Sequence, residues 1–431
     1  MNILTVQPGS GGSFYCQNCL RDLALVEALR RRGHRVTLMP LYLPATATAE
    51  APGDTPLFYG AVALYLRHRF AWLRRLPRAW FRPLDRRPVL RLAARFAGST
   101  SAAGLEDLTL SMLRGPHGRQ ADELRQVTEW LSALPPGDKP DAIVLSTALL
   151  AGLSAALKEA ARCPVFCWLQ DEHVWIDAMS PDPRAAILEA LAASAGSIDR
   201  FLAVSASYAA RMSGALSLGP ERIGVVFPGL DAAAYRPADP SRRPFTVGFL
   251  SRLSPAEGFD AFVDAFVLLR REPRFAGVRL AATGGAPAER GFLQRQLRKL
   301  EAAGLSRDAE ISTRRFEQDR VGFLAGLSVL SAPGSEHEAF GHPVIEAMAA
   351  GVPVAMPARG AYPEIAAAAG CGTLTADGRP ETLARAWAGL LDDPERLLRE
   401  ARAGRAAARG VFSQDGAAAA LERELEAARA G

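Results

Sequence analysis

Two glutamates with seven residues between them, Glu338 and Glu346, carry the first chemical signal in the chain. They lie in the stretch Ser335–Gly351, between the apolar runs Leu327–Pro333 and Val352–Pro357, which read as buried parallel strands. Pro343, a residue suited to the first helical position, marks a helix start inside the stretch. The order is therefore strand, glycine-containing loop, short helix, strand. In an open parallel sheet, ligands settle beyond the carboxyl ends of strands. A helix N-terminus there offers unpaired amides and a positive dipole end to an anion. Carboxylates accept hydrogen bonds from paired hydroxyls, which ribose and hexose rings supply. The implied ligand is a phosphate with sugars on either side. An acid near a helix start also complements the dipole with no ligand at all. Glu346 alone carries both readings; Glu338, Phe340-Gly341 and the small-residue run Ala347–Val354 beside it favour the functional one.

Other polar groups fall at comparable places. The glycine-rich loop Gln7–Ser13, with Gly11 and Gly12, follows an apolar strand at Asn2–Val6. It is not the Gly-x-Gly-x-x-Gly dinucleotide fingerprint, and no acid follows the second strand, so a nicotinamide dehydrogenase is disfavoured. Gln170-Asp171-Glu172-His173 follow the strand Pro164–Leu169 and are expected to form an exposed polar cluster. Arg252 ends the strand that begins at Thr246, and Thr283-Gly284-Gly285 follow Val278–Ala282. Cys16-Gln17-Asn18-Cys19 place two thiols at a helix start, which lowers thiol pKa. A structural zinc site wants four ligands, and Cys163 and Cys167 only flank a strand start, so packed cysteines are the expectation and no metal site is assigned.

These groups need a large scaffold. At 431 residues the chain exceeds what one core serves, and two domains are expected. Hydrophobic residues make up 49%, enough for sizeable cores. The net charge of +5 is too small to argue for a nucleic-acid partner. Five cysteines fit a reducing compartment. With neither a signal peptide nor a spanning run in view, a cytoplasmic location is expected. Strands and helices alternate. Arg35–Tyr42, Asp141–Ser146, Phe201–Ser205 and Ile223–Phe227 join the strands above, then Glu310–Thr313 and Gly372–Thr375. Helices are expected over Asn18–Arg32, Leu105–Leu113, Gln120–Leu134, Leu149–Ala161, Ala185–Ala195, Ala206–Ala215, Phe259–Arg271, Glu289–Ala303, Pro380–Leu391, Glu395–Arg409 and Ser413–Ala430. Between Pro44 and Ser101, arginines alternate with aromatics such as Phe70, Trp72, Trp80 and Phe81. That insertion either packs its aromatics on the sheet as a solvated excursion, receives an anionic acceptor, or lies on an anionic membrane surface.

The order of these motifs resembles the GT-B retaining glycosyltransferases of family 4, the glycosyl transferases group 1. The resemblance rests on the Glu338–Glu346 stretch, on Phe201–Ser205 followed by Arg222–Asp231, on Val247–Leu253 with its arginine, and on Ala358–Ile365. It implies an α/β architecture of two Rossmann-like, doubly wound parallel-sheet domains facing an interdomain cleft. Residues 1–240 would form an acceptor domain with an Arg/aromatic helical insertion at about 60–135. Residues 241–410 would form the nucleotide-sugar donor domain, and the tail helix at 411–431 would cross back to the first. The implied reaction moves a sugar from a nucleotide-diphosphate sugar to an acceptor with retention, with no tightly bound cofactor and no metal. Arg252, helped by amides near Gly341 and His342, would meet the diphosphate. Glu346 would hold the ribose, and Glu338 would face the donor sugar. His173, or Asp171 or Glu172 beside it, would approach that sugar from the other domain. Gly11, Gly12, Gly284 and Phe340 complete the implied donor contacts.

One residue departs from the pattern. The family usually has a lysine five residues after the diphosphate arginine, and Glu257 stands there instead. Arg290 and Arg314 are candidates, by position only, to restore the charge. Two alternatives stay open: a catalytically silent GT-B protein with a binding or regulatory role, and a GT-B epimerase or phosphorylase, for which Lys299 lacks a supporting motif. The base, the sugar and the acceptor (saccharide, lipid-linked or small molecule) depend on loops such as Thr313–Phe316 and on the arginine-rich insertion.

Overall fold

The structure is a computed structural model that describes residues 1–8, 17–41, 105–285, 289–313, 319–334 and 338–430. Gly11, Gly12, Cys16, the arginine-rich insertion, Arg314 and Phe316 lie outside the described residues, as do Ser335, Glu336 and His337. The chain divides into two compact units. One comprises Met1–Val226 with the tail from Ala418, the other Phe227–Ala417.

The first unit is built on a six-stranded parallel sheet: β1 (Asn2–Gln7), β2 (Arg35–Pro40), β3 (Ala142–Leu145), β4 (Val165–Leu169), β5 (Arg200–Ala203) and β6 (Ile223–Val225). Their order is β2-β1-β3-β4-β5-β6. Strands covered by helices on both faces read as unbroken apolar runs, and β3 and β4 are buried at every position. Chain direction along the sheet reverses between β1 and β3, so this unit's natural binding crevice lies beyond the carboxyl ends of those strands. The final helix, Gln414–Ala430, contributes Glu422 and Glu424 to this unit. Glu422 meets Arg32 at 2.5 Å and His34 at 2.6 Å, and Glu424 pairs with Arg200. The Arg32 hydrogen bond, foremost, holds the Glu422 carboxyl below its ordinary pKa.

The second unit repeats the plan with β7 (Thr246–Leu250), β8 (Arg279–Thr283), β9 (Ala309–Ser312), β10 (Val329–Ser331), β11 (Val354–Pro357) and β12 (Thr373–Thr375). Read from one edge, the order is β9-β8-β7-β10-β11-β12, the dinucleotide-fold order, with the reversal between β7 and β10. Its core is aromatic. Phe249 of β7 packs edge-on against Phe259 at 5.1 Å, and Phe262 meets Trp387 at 5.3 Å between ring centroids. Leu327, whose methyl carbon would lie 2.2 Å from a Cβ on Gly248, explains why β7 carries a glycine among its apolar residues.

Candidate functional site

In the second unit, three loops converge where chain direction reverses. Leu253 donates its amide to the Gly285 carbonyl at 3.0 Å, tying the loop after β7 to the loop after β8. A Cβ on Gly284 would sit 1.7 Å from the Ser251 carbonyl oxygen, so only glycine lets these two backbones pass. Arg252 is exposed between them. Gly341, at φ +99°, ends the third loop and caps the helix His342–Ala350. Its amide donates to Glu338 Oε1 at 2.8 Å, so Glu338 itself occupies one donor of the helix start expected to meet a phosphate.

Glu346 is 5% exposed and is held on two sides. Tyr235 donates its hydroxyl to Oε1 at 2.9 Å, and Arg320 forms an ion pair with the same oxygen. The second oxygen, Oε2, is buried without a hydrogen-bond partner. Burial raises the Glu346 carboxyl above its ordinary pKa, against the lowering charge of Arg320 and the two hydrogen bonds. Sequence reasoning missed both partners. Tyr235 lies in the turn-rich segment before β7, which also packs on this helix through the Ala238 amide and the Ala350 carbonyl, 2.7 Å apart. Arg320 opens a short helix, Arg320–Ala325, capped by Asp319. That aspartate immediately before an apolar run was the available signal.

Phe340 corrects an expectation. Its ring is 2% exposed and packs among Phe227 and Phe412, with centroids 5.7 and 6.1 Å away, so it anchors the loop rather than presenting a face to a ligand. His342 is half-buried and stacks edge-on against the same ring at 5.9 Å. Arg290, a suggested substitute cation, is exposed. Glu257 lies on a turn, Pro255–Glu257, beside the β7 end.

In the first unit the polar quartet after β4 is not the exposed cluster expected. Gln170, Glu172 and His173 are buried, and only Asp171 is exposed. The quartet runs into a short helix, Glu172–Asp177. Glu172 accepts four hydrogen bonds. Thr147 Oγ1 and the Ala148 amide reach one oxygen at 2.9 and 3.0 Å; the Gln170 amide and the Tyr208 hydroxyl reach the other at 2.8 and 2.9 Å. Burial nonetheless raises its pKa, with the Asp171 charge adding to the rise and the backbone donors opposing it. The Tyr208 oxygen also faces the His173 amide at 3.3 Å and Nδ1 at 3.2 Å. A hydroxyl has one proton. With that proton given to Glu172, Tyr208 accepts from His173 Nδ1–H, which fixes the imidazole tautomer and leaves Nε2 as the acceptor nitrogen. Nearby strand ends carry further polar groups: Gln170 Nε2 donates to the Ser146 carbonyl at 2.7 Å, and Gln7, fully buried at the end of β1, has neither side-chain atom partnered. Unpaired buried amides at a sheet's reversal point are where a polar ligand is expected.

Among the described residues no three His, Cys, Asp or Glu side chains converge as a metal cluster, and Cys163, Cys167 and Cys371 are free thiols. No described helix is long and apolar enough to cross a membrane.

Comparison with known proteins bears on the fold and on family likeness. Residues 234–408 match the family model described as glycosyl transferases group 1. This part of the chain is similar to a glycosyl transferases group 1 domain. It contains Arg252, Glu257, Glu338 and Glu346 and nearly all of the second unit. Among similar sequences, D-inositol 3-phosphate glycosyltransferase 2 of Catenulispora acidiphila is 30% identical over 214 residues, covering 46% of this chain and 49% of that protein. An MMP alpha-(1->4)-mannosyltransferase of Mycolicibacterium hassiacum is 28% identical over 225 residues, covering 52% of each. The chain thus spans about half the length of the curated relatives it matches. Over nearly its whole length it shares the GT-B fold of solved structures. Anabaena Alr3699/HepE, in complex with UDP, superposes with a TM-score of 0.67 at 18% identity, covering 99% of this chain and 100% of that one. Sucrose-phosphate synthase from Thermosynechococcus elongatus gives 0.62 at 17% identity, with the same coverage.

Proposed function

We propose that this protein is a retaining glycosyltransferase that moves a sugar from a nucleotide-diphosphate sugar to an acceptor. The observation that carries the reading is the arrangement at the β7–β10 reversal: Glu338 against the helix start, Glu346 held by Tyr235 and Arg320, and an exposed Arg252 after β7. In this reading Glu346 accepts hydrogen bonds from the ribose hydroxyls with its unpartnered Oε2. Arg252 stabilises the departing diphosphate, and Glu338 orients the transferred sugar. A leaving group that gains charge is best met by fixed positive groups that need not reorganise. In the first unit, His173 contributes its Nε2 lone pair, with Tyr208 and Glu172 keeping the imidazole in that tautomer; Asp171 is the exposed acid beside it. UDP, which the Anabaena protein binds, is the first nucleotide to test. The acceptor is a hydroxyl-bearing saccharide, lipid-linked or small molecule, and the reaction is assigned to the cytosol.

Glu257 supports a second reading, a silent GT-B protein that holds partners without turnover, because a carboxylate beside a diphosphate repels it. Calorimetric titration with UDP, GDP and ADP, followed by donor hydrolysis assays, separates the two. The transferase reading expects one nucleotide to bind, Glu346→Ala to weaken that binding about tenfold or more, and the matching sugar donor to be consumed with retention. Binding without turnover of any donor supports the silent reading. No binding by any nucleotide refutes the transferase assignment.

A further inference from the structure

The carboxyl edge of the first sheet holds buried amides that no described residue satisfies. Gln7, the last residue of β1, is 0% exposed, and neither its Oε1 nor its Nε2 has a hydrogen-bond partner. Ser146 follows Leu145, the register partner of Val6, so it stands beside Gln7 on the neighbouring strand. The Ser146 carbonyl accepts from Nε2 of Gln170, the first residue after β4, at 2.7 Å. The Oε1 of Gln170 is left buried and unpartnered. Three adjacent strand ends, β1-β3-β4, thus carry one open amide nitrogen and two open amide oxygens. A buried polar atom without a partner costs free energy, which a matching ligand group removes. A hydroxyl both donates and accepts, so a ring bearing several of them complements such a row.

Charge narrows the ligand further. The segments that follow β1 to β5 contain no lysine or arginine: residues 8–20, 41–66, 146–157, 170–183 and 204–210. Arg184 and Arg211, next in the chain after the last two, both pair with Asp177. The charged groups directly beside Gln170 are the acids Asp171 and Glu172. Phosphate groups are held by arginine and lysine, and nearby carboxylates repel them. Neutral amides beside carboxylates suit hydroxyls instead.

We propose that the Gln7–Ser146–Gln170 row binds an uncharged polyol ring, a hexose or a cyclitol without phosphate, and that this ring is the group that receives the transferred sugar. The second half of the proposal rests on the transferase reading above; the first half does not. Gln7 both donates to and accepts from ring hydroxyls, and Gln170 Oε1 accepts from another. Gln170 comes three residues before His173 at the same strand end, which ties the row to the imidazole assigned to the reaction.

Two measurements on the full chain test it. In the first, saturation-transfer difference NMR compares D-glucose, D-mannose and myo-inositol with the monophosphates of the same three compounds. At least one neutral compound is expected to bind, and more tightly than its phosphate. In the second, Gln7→Met, which keeps the length of the side chain and removes both amide atoms, is compared with the parent. Affinity for that neutral compound is expected to fall about tenfold. The melting temperature is expected to hold or rise, because an unsatisfied buried amide has gone. An amide with a purely structural role would show the reverse, a lower melting temperature with unchanged affinity. Binding by none of the neutral compounds, or tighter binding of a phosphate than of its neutral counterpart, overturns the polyol assignment. Unchanged affinity in Gln7→Met, or a lowered melting temperature, overturns the role of Gln7 and with it the row. Polyol binding that Gln7→Met weakens, in a protein that binds no nucleotide, keeps the row and rejects the transferase reading instead.

Discussion

Arg320 is the sharpest point at which to perturb the second unit. Its guanidinium is the positive partner of a carboxylate that is almost fully enclosed, and the Tyr235 hydroxyl donates to the same oxygen. Arg320→Ala leaves the Glu346 charge buried with one hydroxyl donor. Breaking a buried pair from one side costs about 3–5 kcal/mol. At roughly 1.4 kcal/mol per factor of ten, local opening of the helix His342–Ala350 should become about a hundredfold easier or more. Hydrogen exchange followed by mass spectrometry on peptides from that helix reads this directly, without assuming that both units unfold together. The pH dependence has a defined sign. The folded pKa of Glu346 is already raised, and losing Arg320 raises it further. A group raised in the folded state favours folding below its unfolded pKa and loses that contribution as pH rises through the folded value. The deficit of Arg320→Ala should therefore be largest at neutral pH and shrink as the solution is acidified toward the ordinary glutamate range. Adding Glu346→Gln should recover most of it at neutral pH. Equal protection in parent and variant, or a deficit that neither acid nor Glu346→Gln relieves, would refute the reasoning.

Other perturbations follow from single contacts. Gly284→Ala should lower the melting temperature of the second unit by several degrees, since its methyl group would overlap the Ser251 carbonyl; an unchanged melting curve contradicts the close backbone passage. Phe340→Ala should cost about 3–5 kcal/mol in denaturant titrations of the second unit, because the ring is packed between Phe227 and Phe412. Tyr208→Phe removes the hydroxyl that joins Glu172 to His173. It should lower kcat more than it changes the donor KM and should alter the pH profile of kcat, whereas a purely structural role would leave the profile's shape unchanged.

Much of the fold was legible because its strands are buried on both faces. Val165–Leu169 and Val354–Pro357 stand out as apolar runs for that reason. Helices with a clean amphipathic period and a proline start, such as Pro380–Leu391, were readable to their ends. Short helices were not: Glu172–Asp177, Arg320–Ala325 and Tyr362–Ala369 are only six to eight residues long, too little for a period to emerge. The site divides along the same line. Glu338 and Glu346 could be singled out from local spacing, but what holds them could not. Tyr235 lies 111 residues from Glu346, and Tyr208 lies 36 from Glu172. The burial of Gln170, Glu172 and His173 was missed for the same reason. Polar residues after a strand usually face water, and here partners from Thr147 and Tyr208 make an interior position tolerable.

Crystallography of the protein grown with UDP tests the central claim most directly. The account predicts diphosphate density beyond Ser251 and Ser331, near Arg252 and the start of the helix His342–Ala350, with the ribose hydroxyls on Glu346. A nucleotide bound anywhere else, or a Glu346 carboxylate with no ribose contact in a nucleotide-bound crystal, would contradict it.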